Sequence, residues 1–206
     1  MIFYFSATGN SKYVANRLAR ALDSEIVSIV DCLKNGRLSF EIQTDERVGF
    51  VFPTYAWGLP SVAQEFMQRM ELHTNGSAYF YFVATFGTTP GTIGYTANQQ
   101  LYARTGRKFD ARFGVKMPDT WTPMFDLSDK EKVQQINDRA EPQIDRIIQR
   151  ARHYTGGNYL KSRVPRFLIP IFEKYYDYMR KTSHFTVESS CIGCGLCEQN
   201  CPADAI

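Results

Sequence analysis

Long apolar runs, an excess of one charge, and cysteine outside one short stretch are all scarce in this sequence. The longest aromatic–aliphatic run, Tyr79 to Phe86, is far below the ~20 residues that span a bilayer, so neither a transmembrane helix nor membrane contact is expected. Met1 is followed at once by Ile2-Phe3-Tyr4-Phe5. No basic segment, apolar core and cleavage site precede that strand-like run, so no signal peptide is read and a cytoplasmic location is expected. The 24 Lys and Arg against 21 Asp and Glu leave a net charge of +3, too small to argue for nucleic acid. The three histidines, His73, His153 and His184, are scattered, and no general acid–base pair or nucleophilic constellation stands out. Neither G-x-x-x-x-G-K-[ST] nor G-x-G-x-x-G occurs, which removes the nucleoside-triphosphate loop and the dinucleotide fingerprint.

What is present fits one domain of about 150 residues and a small appendage. Apolar strand-like runs alternate with segments of helical period. Met1–Phe5, Ser24–Val30, Arg47–Phe52, Ala78–Thr85 and Lys108–Met117 read as five strands. Between them, Val14, Ala15, Leu18, Ala19 and Leu22 repeat at helical spacing, as do Ala63, Phe66, Met67 and Met70 after Pro60. Thr92–Arg104 reads as a third helix. Ser128 with Glu131 forms a capping-box pattern ahead of a longer one, which Pro142 is expected to kink. Such alternation predicts an α/β fold, a parallel sheet with helices on both faces.

Directly after the first strand comes Ser6-Ala7-Thr8-Gly9-Asn10-Ser11, and then a helix. A doubly wound sheet binds phosphate at this place, where a strand's carboxyl end meets a helix amino end. Gly9 permits a tight turn, and the hydroxyls of Ser6, Thr8 and Ser11 add donors to the exposed N–H groups. Lys12 reads as a solvated helix residue. The third strand ends in Pro53-Thr54-Tyr55-Ala56-Trp57-Gly58-Leu59-Pro60, and the fourth in Thr85-Phe86-Gly87-Thr88-Thr89-Pro90-Gly91. Both loops emerge at the edge that carries the phosphate loop, and each sets aromatics beside glycine, as a flat aromatic ligand requires.

On these three loops and the order of strands and helices, residues 1–155 resemble flavodoxins. The resemblance implies a five-stranded doubly wound sheet of order 2-1-3-4-5. It also implies FMN, with the phosphate on Ser6–Ser11 and the ring edged by residues 53–60 and 85–91. By position, Trp57 resembles the tryptophan that stacks on the flavin, and Gly58 the glycine whose carbonyl can turn toward the reduced ring. Either Tyr55 or Phe86 covers other parts of the ring, alongside Pro53, Thr54, Ala56, Thr85, Gly87 and Thr88.

Four of the five cysteines fall in the last sixteen positions. Cys191, Cys194, Cys197 and Cys201, followed by Pro202, make C-x₂-C-x₂-C-x₃-C-P, the bacterial ferredoxin run. Zinc ribbons instead pair two separated C-x₂-C knuckles. Cys32, read in the loop after the second strand, is taken as structural. From about residue 185 the chain resembles two-cluster ferredoxins, and the whole layout resembles bacterial flavodoxin–ferredoxin fusions. That resemblance implies 4Fe–4S clusters, with Cys191, Cys194 and Cys197 on one and Cys201 on another. No second run follows before Ile206, so a truncated chain is expected, or else closure of a single cluster by Cys201.

Residues 156–184 read as a basic, aromatic connecting segment with one helix near Ile171–Arg180. Its Phe167, Leu168, Ile171, Phe172 and Tyr175 either pack the second domain on the first or form a docking surface. The function expected is electron transfer between FMN and 4Fe–4S clusters, with redox proteins as partners and a carrier favoured over a self-sufficient enzyme. An FMN-dependent quinone or NAD(P)H reductase fed by the clusters is the alternative.

Neither ring loop contains Asp or Glu, whereas many flavodoxins place acids there, and like charge disfavours the anionic reduced ring. The second one-electron potential is therefore expected to be less negative than in acidic flavodoxins. Spectroelectrochemistry that returned a strongly negative value would refute this.

Overall fold

A computed structural model describes residues 1–206 apart from 75, 162, 163, 185, 202–206 and the side chain of 184. Pro202 of the cysteine run and Arg163 of the basic stretch therefore lie outside the described residues. The elements run β1 (Ile2–Tyr4), α1 (Asn10–Leu22), β2 (Ile26–Ser28), α2 (Ile29–Asn35), β3 (Ser39–Ile42), β4 (Glu46–Pro53) and α3 (Ser61–Arg69). Then follow β5 (Glu71–Thr74), β6 (Ala78–Phe86), α4 (Ile93–Thr105), β7 (Ala111–Lys116), α5 (Lys130–Arg152) and β8 (Gly157–Asn158). Beyond the sheet come α6 (Ile169–Met179) and α7 (Leu196–Asn200).

Among the described residues, the main sheet has the order β2-β1-β4-β6-β7-β8, with every pair parallel. The five strands read from the sequence occupy the order 2-1-3-4-5, and β8 adds a two-residue sixth strand at the edge. β6 is buried on both faces along all but its last residue, as a central parallel strand should be. Its side chains alternate. Phe80 and Phe82 join Phe3, Phe50 and Phe52 in one core, which α3 and α4 cover through Phe66, Met67, Ala97 and Leu101. Tyr81 and Val83 face the other side with Val51 and Val115, beneath Val14 and Leu18 of α1 and Ile144 and Ile147 of α5. This is the doubly wound flavodoxin-like architecture, with one helix layer on each face.

Several local readings change. The second strand stops at Ser28, whose Oγ accepts from Asp31 N at 3.3 Å and caps α2. Ile29, Val30 and Cys32 are therefore helical and buried, and Cys32 is not a loop residue. Burial pushes its thiol pKa up, which makes it inert. β3 and β5 pair in a separate two-stranded sheet, with Phe40 and Ile42 buried on alternate positions. The sheet region extends past residue 155, since Leu160 is buried in the first core.

The long helix also starts differently. Asp129, not Ser128, is its N-cap, with Oδ1 accepting from Lys132 N at 3.0 Å. The Ser128 hydroxyl instead donates to Asp126 Oδ2 at 2.8 Å. The helix continues through Pro142 without interruption. Next to the missing proline donor, Gln143 Nε2 donates to the Arg139 carbonyl at 2.8 Å. Asp129→Ala should therefore cost about 1 kcal/mol, while Ser128→Ala should stay within about 0.5 kcal/mol. Urea denaturation of both variants checks this, and equal losses would contradict the cap assignment.

Candidate functional site

The carboxyl ends of β1, β4 and β6 open into one cavity of about 480 Å³, inside the ~300–1,000 Å³ range of cofactor pockets. Three of its walls are the loops singled out from the sequence: Ser6, Ala7, Thr8, Asn10 and Ser11; Pro53, Thr54, Tyr55, Ala56 and Trp57; Thr85, Phe86, Gly87, Thr88 and Thr89. Two walls were not anticipated. One is the loop after β7, with Pro118, Asp119, Thr120, Trp121, Met124 and Phe125. The other is the end of α6, with Tyr175, Tyr176, Met179 and Arg180. Gly9 and Gly58 shape the loops without lining the cavity.

The first loop is built to present donors. Gly9 turns at φ 101°, a backbone conformation that favours glycine, and its N–H donates to Ser6 Oγ at 3.1 Å. α1 then begins with N–H groups that have no intrahelical acceptor, and with the positive end of its dipole toward the loop. The loops are cross-tied by hydroxyls and amides. Ser11 Oγ and Thr85 Oγ1 lie 2.7 Å apart in a buried pair. Thr8 Oγ1 meets Thr120 Oγ1 at 2.9 Å, and Asn10 Nδ2 donates to the Pro118 carbonyl at 2.9 Å. Gly87 has no room for a side chain, because a Cβ there would lie 2.3 Å from Asp119. The loop after β7 therefore closes directly over the loop after β6.

Thr54 is held by its N–H, which donates to the Thr85 carbonyl at 2.8 Å. Its Oγ1 is buried with no partner among the described residues. An unmet buried hydroxyl costs roughly 1–3 kcal/mol; of the two such hydroxyls among the described residues, Thr54 and Tyr81, only Thr54 stands in the cavity wall.

Tyr55 and Gly58 exchange both backbone hydrogen bonds, at 3.1 and 2.9 Å. Ala56 and Trp57 between them adopt φ 43° and 63°, a tight turn of the hairpin type. Such strain at non-glycine residues concentrates at ligand clamps. The Trp57 carbonyl accepts from Thr92 N at 2.7 Å and Thr92 Oγ1 at 3.1 Å, and the Gly58 carbonyl is taken by Tyr55 N. The Trp57 indole packs against Phe172 of α6, centroids 5.0 Å apart, and Tyr175, 6.1 Å apart. Tyr55 lies 6.3 Å from the Tyr176 ring.

The charge around the cavity differs from the reading of the two ring loops alone. Those loops carry no acid, but Asp119 and Arg180 enter from the two further walls. Their signals in the sequence were weak: a single acid in a loop, and a connecting segment beyond the strand–helix pattern.

In the cysteine run, Cys191, Cys194 and Cys197 are exposed, and Cys201 is half-buried. Thiolates suit an iron–sulfur cluster. Among the described residues, however, no three His, Cys, Asp or Glu side chains converge as a metal-ligand group. The donor set thus fits in kind and spacing but is not gathered around one point, and no cluster geometry follows from it.

A family model described as a flavodoxin domain matches residues 1–146. The chain belongs to the flavodoxin domain family. A second model, a 4Fe-4S binding domain, matches residues 185–206. Among curated proteins no relative matches. Similar solved structures include the Trp repressor binding protein of Bacillus subtilis, 11% identical over 74% of this chain and 94% of that one, TM-score 0.39. The two-electron reduced flavodoxin of Megasphaera elsdenii is 15% identical over 70% and 95%, TM-score 0.37. The rubredoxin oxygen:oxidoreductase of Desulfovibrio gigas is 15% identical over 73% of this chain and 36% of that chain, TM-score 0.40. The family match, not these distant likenesses, places the chain.

A flavodoxin domain implies FMN, and a 4Fe-4S domain an iron–sulfur cluster. Together they make this a flavin and iron–sulfur electron-transfer protein, which implies redox partners in general. The cavity fits FMN on three counts: its size, the donor loop at Gly9, and the unmet Thr54 hydroxyl. Among the described residues no helix is long and apolar enough to cross a membrane.

Burial, with a smaller contribution from Tyr176, pushes the Tyr55 phenol pKa up to about 12, against ~10 for an unfolded tyrosine. The folded state therefore holds its proton longer. Stability is complete below pH ~10 and falls as pH rises from there to about 12. Burial also raises the phenols of Tyr79 and Tyr81, which extends the loss. Tyr55→Phe should shrink the drop in urea midpoint between pH 9 and 11, and an unchanged drop would count against this reading.

Proposed function

We propose that FMN occupies this cavity with its phosphate on Ser6–Ser11 and its ring between residues 53–58 and 85–88. Electrons then pass between that flavin and iron–sulfur chemistry at Cys191, Cys194, Cys197 and Cys201. The observation that carries the reading is the convergence of all three loops on one cavity whose wall holds the unmet Thr54 hydroxyl. The flavin exchanges electrons singly or in pairs, and the protein contributes binding, orientation and electrostatics.

The chain's own residues divide this work. First-turn N–H groups of α1 and the hydroxyls of Ser6, Thr8 and Ser11 suit a phosphate dianion, with the helix dipole supplying positive potential. Lys12 stays exposed and is not needed. Phe86, Tyr55 and Trp57 supply apolar ring contacts, and the Ser11–Thr85 pair keeps the phosphate and ring loops in register. The sequence pattern divides the chain at residues 1–155, 156–184 and 185–206, and β8 and Leu160 carry the packing of the first unit on to residue 160. We place the protein in the cytoplasm, exchanging electrons with carriers there.

An absorption spectrum of anaerobically purified protein, with flavin and iron counted, tests this. One flavin per chain with iron and sulfide bound is the expected result. A yellow, iron-free protein would remove the electron path to the cysteine run, and a colourless one would remove the flavin site as well.

A further inference from the structure

The flavodoxin family match stops at residue 146, yet the cavity is not closed at that point in the chain. Its outer wall is α6, from the connecting segment. Three observations fix that helix on the site. Phe172 and Tyr175 pack on the Trp57 indole. The Tyr55 and Tyr176 rings are paired. Tyr176 Oη accepts from Ser61 N at 3.4 Å, at the start of α3. With that face engaged, Tyr175, Tyr176, Met179 and Arg180 line the same cavity as Thr8, Thr54 and Phe86.

We propose that α6 is a cofactor-binding element. It buttresses Trp57, lays Tyr175 and Met179 against the flavin, and brings the Arg180 guanidinium to the ring as the cation that favours its reduced, anionic form. This inference rests on FMN occupying the cavity and deepens that reading. It names a determinant of affinity and potential that lies outside the matched flavodoxin domain.

The charges support the assignment. Asp119 is the acid on the wall, and Arg180 is the cation opposed to it. Arg180 Nε is held by Asp177 Oδ1 at 3.1 Å, which orients the guanidinium while its terminal nitrogens can still donate. An added negative charge on the ring is stabilised by a nearby cation and disfavoured by an acid. Asp177 takes up part of the Arg180 charge, and what remains opposes Asp119 across the cavity. The connector also makes flavin binding sensitive to anything that moves α6.

The test uses the full chain, stripped of flavin and titrated with FMN in the oxidised and the two-electron-reduced states. Tyr175→Ala should weaken oxidised FMN about tenfold. Ile171→Ala, on the same helix but off the cavity, should leave it unchanged. Arg180→Gln should weaken reduced FMN about tenfold more than oxidised FMN, with Arg180→Lys restoring most of the difference. Circular dichroism and urea midpoints confirm that the variants fold. Wild-type binding with Tyr175→Ala and Arg180→Gln both unchanged would overturn this inference alone. A wild-type chain that binds no FMN would overturn the proposed site, and this inference with it.

Discussion

The site depends on β6, a strand buried on both faces. A strand in that position must satisfy its backbone on both sides, and it does so through parallel pairs with β4 and β7 in register over most of its length. Its apolar side chains supply Phe80 and Phe82 to one core and Tyr81 and Val83 to the other. Parallel pairing brings the carboxyl ends of β1, β4 and β6 to one edge, and the connections leaving these three strands are loops. Residues far apart in sequence, Ser6, Thr54 and Phe86, become neighbours because the strands beneath them cannot shift relative to one another.

Loops on such an edge still have to be held, and here short polar contacts do it. The buried Ser11–Thr85 hydroxyl pair joins the donor loop to the loop after β6. The Thr8–Thr120 contact and the amide of Asn10 on Pro118 join it to the loop after β7. The missing side chain of Gly87 lets Asp119 close in. The Thr54 hydroxyl stands apart from this network, buried and unmet.

The aromatic wall reaches past the matched domain, which ends at residue 146. Trp57 is held by a strained turn from below, through Thr92 on its carbonyl, and by Phe172 and Tyr175 from the side. The flavodoxin domain and the connector therefore share one indole.

Much of this was legible from the residues. Strand–helix alternation carried the parallel α/β class, because apolar periods of 2 and 3.6 reflect burial on a sheet and on a helix face, and the flavodoxin resemblance carried the strand order. The donor loop carried its own geometry, because Gly9 and the hydroxyls act locally. The cysteine spacing identified its chemistry without any fold at all. Misread features had local competitors of similar energy. Ser28 caps a helix where β-branched residues suggested more strand, and Asp129 caps where Ser128 sat in the expected pattern. The residues alone determined the fold class, through the periods of their apolar positions, and the metal-ligand type, through the cysteine spacing, since both patterns are written within short stretches of chain. Only the tertiary structure decided that Asp119 and the end of α6 complete the cavity. Asp119 meets Gly87 and Tyr176 meets Tyr55 from far along the chain, and nothing in their own neighbourhoods records what they will meet.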